Sequence, residues 1–478
     1  MTGLRRGWFH LASGAGLGRV FGFASNLLLS RWLGPTDLGL FNLTTTTVQT
    51  SDTLVRLGAD YAFNFELGGH AQPMQTEYGS NLARGLVQIC TLMSFLFSCF
   101  FGVWVLCGHG LFPSSLSAGS RFAMSLVLML MISCEGCCAS AWEILLVSQR
   151  TGSMALRQGL FFPLRLLTAA FGCLFGGILG AMVGWVLIAS VQCFWLKSVL
   201  KQLWSPLKII PFLGKPIIQL LRRGLPFYSS NLLSSVIFFP LLLKVASSSG
   251  LSEVGYLRVG QVLQQLFAFI PATLVPVLFL RLRSEPTFQD QVVAIEKPLR
   301  IIWLLLLEVL LLYCLIDRLL INWLFGAGFL SALFPTRVLL LTALLECLAQ
   351  IVLQPLLAAG KTRVYSLWQN SAALIAGFLG WMWIPEAGLF AYLMVRLLYV
   401  IVPLIGYVIP VVQYLHEPER MLPLFLLSSS LLAVFSIETF ANQELEWMPF
   451  LFFALSLGVL VFSRNDFSYF RTVLSGRA

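Results

Sequence analysis

The chain has 478 residues, of which 58% are hydrophobic and 11% charged, and its mean hydropathy is +0.84. Soluble domains carry roughly 25% charged residues, so a water-soluble globular protein is excluded. The formal net charge of +10 is spread over many short segments, which excludes a nucleic-acid-binding surface and fits contact with anionic lipid.

Apolar runs of about 20 residues recur, each long enough to cross roughly 30 Å of hydrocarbon. The first begins after Arg5 and Arg6. It is long, striped with Gly14, Gly18 and Gly22, and carries Arg19, so a retained span is expected rather than a signal peptide. Fourteen spans are expected in all, near 9–30, 37–59, 82–107, 121–147, 153–175, 178–199, 225–246, 253–280, 298–324, 331–358, 364–384, 387–412, 421–438 and 447–463. The basic residues divide unevenly between the connections. Arg150, Arg157, Lys197, Lys201, Lys215, Arg222, Arg281, Lys297, Lys361 and Arg420 fall on one side, and little beyond Arg31, Arg121, Lys244 and Arg318 falls on the other. The bias predicts cytoplasmic N- and C-termini in a cell (inner or plasma) membrane. Residues 200–224 mix Ile and Leu with several Lys and Arg and read as an amphipathic segment on the cytoplasmic face.

Two internal repeats organise the chain. Leu33–Phe41 (LGPTDLGLF) matches Ser249–Leu257 (SGLSEVGYL), laying Gly34 on Gly250 and Gly39 on Gly255. Leu145–Gln158 matches Leu356–Gln369, laying Arg150 on Lys361 and Thr151 on Thr362. The copies are about 210–216 residues apart in both cases. The expected architecture is therefore an all-α membrane protein of two related six-helix lobes, 1–199 and 225–412, joined by 200–224 and followed by two helices within 413–478. Paired halves of this kind usually enclose a transport path. Thr36-Asp37 and Ser252-Glu253 read as N-caps of the second and eighth spans.

Polar residues within spans mark faces turned from lipid. In the second span Asn42, Thr45, Gln49, Asp52 and Arg56 fall at alternating steps of three and four, on one stripe. Arg258, Gln261 and Gln265 repeat that stripe in the eighth span. Arg19 lies deep in the first span, and with Arg56 and Arg258 it is a candidate for binding an anionic cargo, since a guanidinium fork suits phosphate or diphosphate. Arg165, Arg337 and Arg396 are further cavity cations or partners of carboxylates. Glu135, Glu346 and Glu308 either neutralise such arginines or bind H⁺ or Na⁺ and couple an ion gradient to movement. Cys134, Cys137 and Cys138 form a lone CxxC-containing run within a span and read as packing residues. No metal site or other cofactor is expected.

Leu28–Phe41, reading LLSRWLGPTDLGLF, resembles the signature at the first outer turn of the polysaccharide (O-antigen type) flippases, within the multidrug/oligosaccharidyl-lipid/polysaccharide exporter superfamily. The turn Gly360-Lys361-Thr362 followed by Tyr365-Ser366-Leu367 is similar to that family's tenth-to-eleventh connection. The resemblance implies a central cationic cavity and a cargo of undecaprenyl-diphosphate-type lipid-linked glycan, flipped outward for surface polysaccharide synthesis, with a polymerase or glycosyltransferases as partners. The related lipid II flippases carry arginines in the first, second and eighth spans, and Arg19, Arg56 and Arg258 match that distribution. It implies a transporter, not an enzyme. A transporter of lipid II, or a drug or cation exporter of the same superfamily, is the alternative, ahead of a membrane glycosyltransferase or polymerase.

Overall fold

The computed structural model describes residues 2–67, 76–107, 117–148, 150–201, 215–268 and 285–414, with a few positions between 275 and 282. The expected spans near 421–438 and 447–463, and residues 202–214 of the amphipathic segment, lie outside the described residues. Among the described residues the chain is helical with no strand. The helices are α1 (Thr2–Arg56), α2 (Ala59–Leu67), α3 (Glu77–Leu106), α4 (Ala118–Val147), α5 (Thr151–Leu156), α6 (Phe162–Lys201), α7 (Lys215–Ser248), α8 (Leu251–Phe267), α9 (Phe288–Leu324), α10 (Leu333–Ala358) and α11 (Thr362–Val412). A π-turn, Arg157–Phe161, joins α5 to α6.

Among the described residues seven helical stretches are long and apolar enough to cross a membrane. Two of them, Gly152–Leu200 and Arg363–Val412, have 49 and 50 residues. At 1.5 Å per residue each would reach about 75 Å if straight, far beyond the hydrocarbon core. Both are broken at a glycine. Gly177 (φ 56°, ψ −139°) breaks α6 and Gly388 (φ 54°, ψ −129°) breaks α11. An L side chain rarely adopts such a φ, and glycine adopts it freely. Each helix then doubles back on itself. In α6, Thr168 donates to the Gly184 carbonyl at 2.9 Å, and Gly172 faces Gly180. In α11, Gln369 meets Tyr399 and Tyr407. Phe175, Phe194, Leu319 and Trp323 are exposed on outer helix faces, the surface that lipid requires. The chain is a multi-pass membrane protein.

The duplication runs through the local backbone. Gly177 and Gly388 stand 211 residues apart, as do the ends of α4 and α10 (Val147 and Ala358) and the starts of α5 and α11 (Thr151 and Thr362). A copy that the sequence pattern did not single out is the cap of α3 and α9. Thr76 accepts from the Gly79 amide, and Thr287 accepts from the Asp290 amide at the same offset. The caps expected at Ser252 and Thr36 are displaced. Ser252 lies inside the first turn of α8, because the chain turns earlier at Gly250 (φ 96°). Thr36 lies within α1, because the break there is at Gly34 (φ 71°).

The chain divides into two compact units, Met1–Val262 with Gly377–Tyr392, and Leu263–Ala376 with Leu393–Ala478. In the first unit the two copies of the leading repeat touch. A Cβ added to Gly39 would strike the Leu251 carbonyl oxygen, and one added to Gly255 would strike the Pro35 carbonyl oxygen. The second part of α1 therefore crosses α8 backbone to backbone, as small residues permit between membrane helices. An apolar cluster that includes Val55, Phe63, Leu82, Leu86, Ile89 and Ile144 packs α1 to α4 together. The second unit is built around α9 and α10, whose buried faces include Leu307, Leu310, Leu344 and Leu348.

Candidate functional site

The first unit contains a recess between α1, α4 and the π-turn–α6 segment, and its position follows from the glycine stripe of α1. Gly14 and Gly18 leave no room for a Cβ against the Ala155 and Gln158 carbonyl oxygens, so α1 rests directly on α5 and the π-turn. A Cβ added to Gly22 would meet Phe162 and Leu166 at ordinary contact distance. The glycine stripe is thus a packing surface. Arg19, next to Gly18, is set against the π-turn. π-turns insert one residue into a helix and recur at functional sites.

The recess has a volume of about 360 Å³ and is lined by Arg19, Arg157 and Arg165 together with Glu135, Gln158, Gln192 and Trp142. Arg165 is buried and ion-paired with Glu135 on α4. Its second terminal nitrogen donates to the Gln192 side-chain oxygen, and its guanidinium lies 5.8 Å from the Trp185 ring centre. The Arg165 Nε and the Gln192 Nε2, both buried, have no hydrogen-bond partner. The Arg157 guanidinium sits over the Trp142 ring at 5.0 Å. The lining thus carries three guanidinium groups against one carboxylate.

Arg56, expected beside Arg19, has different neighbours. Asp52 at 2.7 Å, Glu143 at 3.2 Å and Asp60 at 3.5 Å surround it, and Asn64 donates to Glu143 at 2.6 Å. Three carboxylates at hydrogen-bonding distance already answer that guanidinium. The stripe holding Arg56 is therefore a mixed one. Asn42 donates to the Val254 carbonyl at 3.4 Å, Thr45 bonds back to its own helix, and Gln49 is exposed. Arg258 is buried on α8 and donates to the Asn26 side-chain oxygen at 3.1 Å. Its Nε has no partner. Asn26 lies seven residues after Arg19, about 10 Å along the same face of α1. Farther along α8, Gln261 is half-buried and Gln265 exposed.

The remaining candidates lie in the second unit. Arg337 is ion-paired with Asp317. Glu346 is exposed on α10, Glu308 is half-buried on α9, and Arg396 is half-buried on α11. Cys138 and Cys193 bring their sulfurs to 3.3 Å between α4 and α6, and Cys193 donates to the Cys134 carbonyl, so the cysteine run packs one helix on another. The sequence pattern alone had placed Arg157 among the topogenic basic residues and passed over Gln192. Regular helical spacing gave no signal for the pair, because eight residues on an α-helix leave Arg157 and Arg165 about 80° apart and the π-turn lies between them.

No protein-family profile matches the chain, and no curated protein sequence matches it. Solved structures match its fold along most of its length. A lipid II flippase, MurJ, in an inward closed conformation aligns with a TM-score of 0.69 at 14% identity, over 96% of this chain and 98% of that one. A multidrug resistance MATE family transporter of the MOP superfamily, in an outward-facing conformation, aligns with a TM-score of 0.59 at 14% identity, over 85% and 96%. A MOP superfamily transporter from Pyrococcus furiosus, described as having a binding pocket of reversed polarity, aligns with a TM-score of 0.56 at 14% identity, over 85% and 96%. The chain has the fold that these transporters share.

Proposed function

We propose that this protein is a flippase that moves an isoprenoid-diphosphate-linked oligosaccharide across the cytoplasmic membrane for surface polysaccharide synthesis. The observation that carries the reading is the pairing of buried Arg258 with Asn26, which shares a face of α1 with the half-buried Arg19, in a flippase-like fold. A lipid diphosphate needs cations for its head, a polar path for its sugars and an open flank for its tail. No bond is broken in such a passage, so no catalytic residue is assigned. Movement is by alternating access of the two related halves. Breaks at Gly34, Gly177 and Gly388 each divide one helix in two, in keeping with the fourteen spans expected from the sequence. Arg19 and Arg258 are the proposed cargo contacts, and Asn42, Gln261 and Gln265 line the path. Glu308, Glu346 and Arg396 are the proposed ion-coupling group of the second unit.

The test is translocation of a fluorescent isoprenyl-diphosphate glycan in vesicles holding the purified protein. Arg258→Ala removes a charge-assisted contact worth roughly 1.5–3 kcal/mol, so transport falls about ten- to a hundredfold while protein levels hold. Arg258→Lys keeps the charge but not the fork and restores part of the rate. Normal transport by both Arg258→Ala and Arg19→Ala refutes the cargo assignment. Topology has its own check. Cysteine at position 210 should react with an impermeant reagent only from the cytoplasmic side, and cysteine at position 442 only from outside.

A cation exporter of the same fold is the second reading, favoured by Asp52, Asp60 and Glu143, which α1, α2 and α4 gather around Arg56. Efflux of a cationic dye by the same vesicles, with no glycan movement, would establish it instead.

A further inference from the structure

We propose that the recess between α1, α4 and the π-turn–α6 segment binds a phosphate-type oxyanion, either free or carried on a lipid head. The recess shares Arg19 with the proposed cargo contacts, and the inference rests on Arg157, Arg165 and Gln192, which the flippase reading does not use.

Charge decides the sign of the ligand. Three guanidinium groups and one carboxylate line the space, so a cation is repelled and an anion drawn in. The free donors decide its kind. Arg165 is 2% exposed and Gln192 is 1% exposed. Each keeps a nitrogen without an acceptor, the Arg165 Nε with one N–H and the Gln192 Nε2 with two. Buried donors are rarely left so, and an acceptor arriving from outside accounts for both. Glu135 and the Gln192 oxygen take the two ends of the Arg165 fork, which fixes the guanidinium and leaves its Nε without an acceptor. Trp142 holds the face of Arg157 at 5.0 Å, and a guanidinium stacked by its face donates in its own plane. Several donors fixed around one space suit an ion with several oxygens better than a halide, which offers a single centre.

Size bounds the ligand from above. The volume of about 360 Å³ equals roughly a dozen water molecules at about 30 Å³ each. Phosphate or diphosphate fits with part of its hydration shell. A glycan does not.

The experiment follows thermal unfolding and calorimetric binding of the full-length protein in detergent, with inorganic pyrophosphate as probe and sodium chloride at matched ionic strength as control. Pyrophosphate should raise the unfolding temperature with a saturable dependence, and chloride should not. Arg157→Gln and Gln192→Leu should each weaken pyrophosphate binding by roughly tenfold. Arg258→Ala, outside the recess, should leave it unchanged. Because Arg165→Gln strands Glu135, the charge-neutral pair Glu135→Gln with Arg165→Gln is used at that position, with loss of binding expected. Farnesyl diphosphate in the same micelles identifies the source. Mutual displacement with pyrophosphate assigns the site to a lipid head, and pyrophosphate binding without displacement assigns it to the free anion. Equal stabilisation by chloride, or wild-type binding by both Arg157→Gln and Gln192→Leu, overturns the proposal. Pyrophosphate binding with no glycan translocation refutes the flippase reading alone, and translocation without anion binding refutes this site alone.

Discussion

Arg165→Ala is expected to be the most damaging single substitution in the first unit. Arg165 is buried, paired with Glu135 and bonded to Gln192. Removing it leaves the Glu135 carboxylate without its counter-ion and the Gln192 oxygen without its donor. Breaking a buried pair by deleting one partner costs about 3–5 kcal/mol, most of it the burden of the charge left behind. Little folded protein should then be recovered from membranes, and what is recovered should unfold at a clearly lower temperature. Adding Glu135→Gln removes the stranded charge and should restore much of the loss. A double variant no more stable than Arg165→Ala alone would show that the pair is not the reason for the damage.

Gly39→Leu and Gly255→Leu form the second test. At both positions a side chain would enter a backbone carbonyl oxygen of the opposing helix, Leu251 in one case and Pro35 in the other. Backbone on two packed helices has little freedom to retreat, so the helices must part. Overpacking of this kind costs about 1–3 kcal/mol, read as a drop in the unfolding temperature. Both changes act on one crossing. The first parts the helices and so relieves the second, and the double variant should cost less than the sum of the singles. Gly119→Ala, where the added methyl meets nothing within 4 Å, is the control. Additive losses would mean that the two glycines do not share a contact.

What the sequence allowed one to read, and what it did not, divides by physical range. Membrane class came from composition, because hydrocarbon imposes its demand on every residue of a span. The duplication was legible at Gly34, Gly39, Gly250, Gly255 and the Lys361–Thr362 turn, because a positive φ or a close crossing demands glycine locally. The match at Thr76 and Thr287 went unseen, because a cap is one hydroxyl in a poorly matching stretch. The site was half legible. Position within apolar spans marked Arg19 and Arg165 as candidates. It could not say which carboxylates would meet them, since Glu135 reaches Arg165 from another helix and Glu143 reaches Arg56 across 87 residues. Nor could helical periodicity foresee the π-turn at Arg157–Phe161, which departs from the 3.6-residue period on which the reading depends.

The offset between the duplicated halves has a history written in it. It is 216 residues at Gly34 and Gly250, but 211 at Thr76 and Thr287 and at every later pair. Five residues were therefore gained or lost within 35–75 or the matching 251–286. An edit inside a packed helix would turn everything after it by about 100° per residue and swing its buried face outward. The helical crossing at Gly39 and Gly255 keeps the larger offset, so the edit falls after it, toward the connections that lead into α3 and α9. An ancestral half-length chain, doubled and then trimmed or extended only where no helix face had to be kept in register, would leave this arithmetic behind.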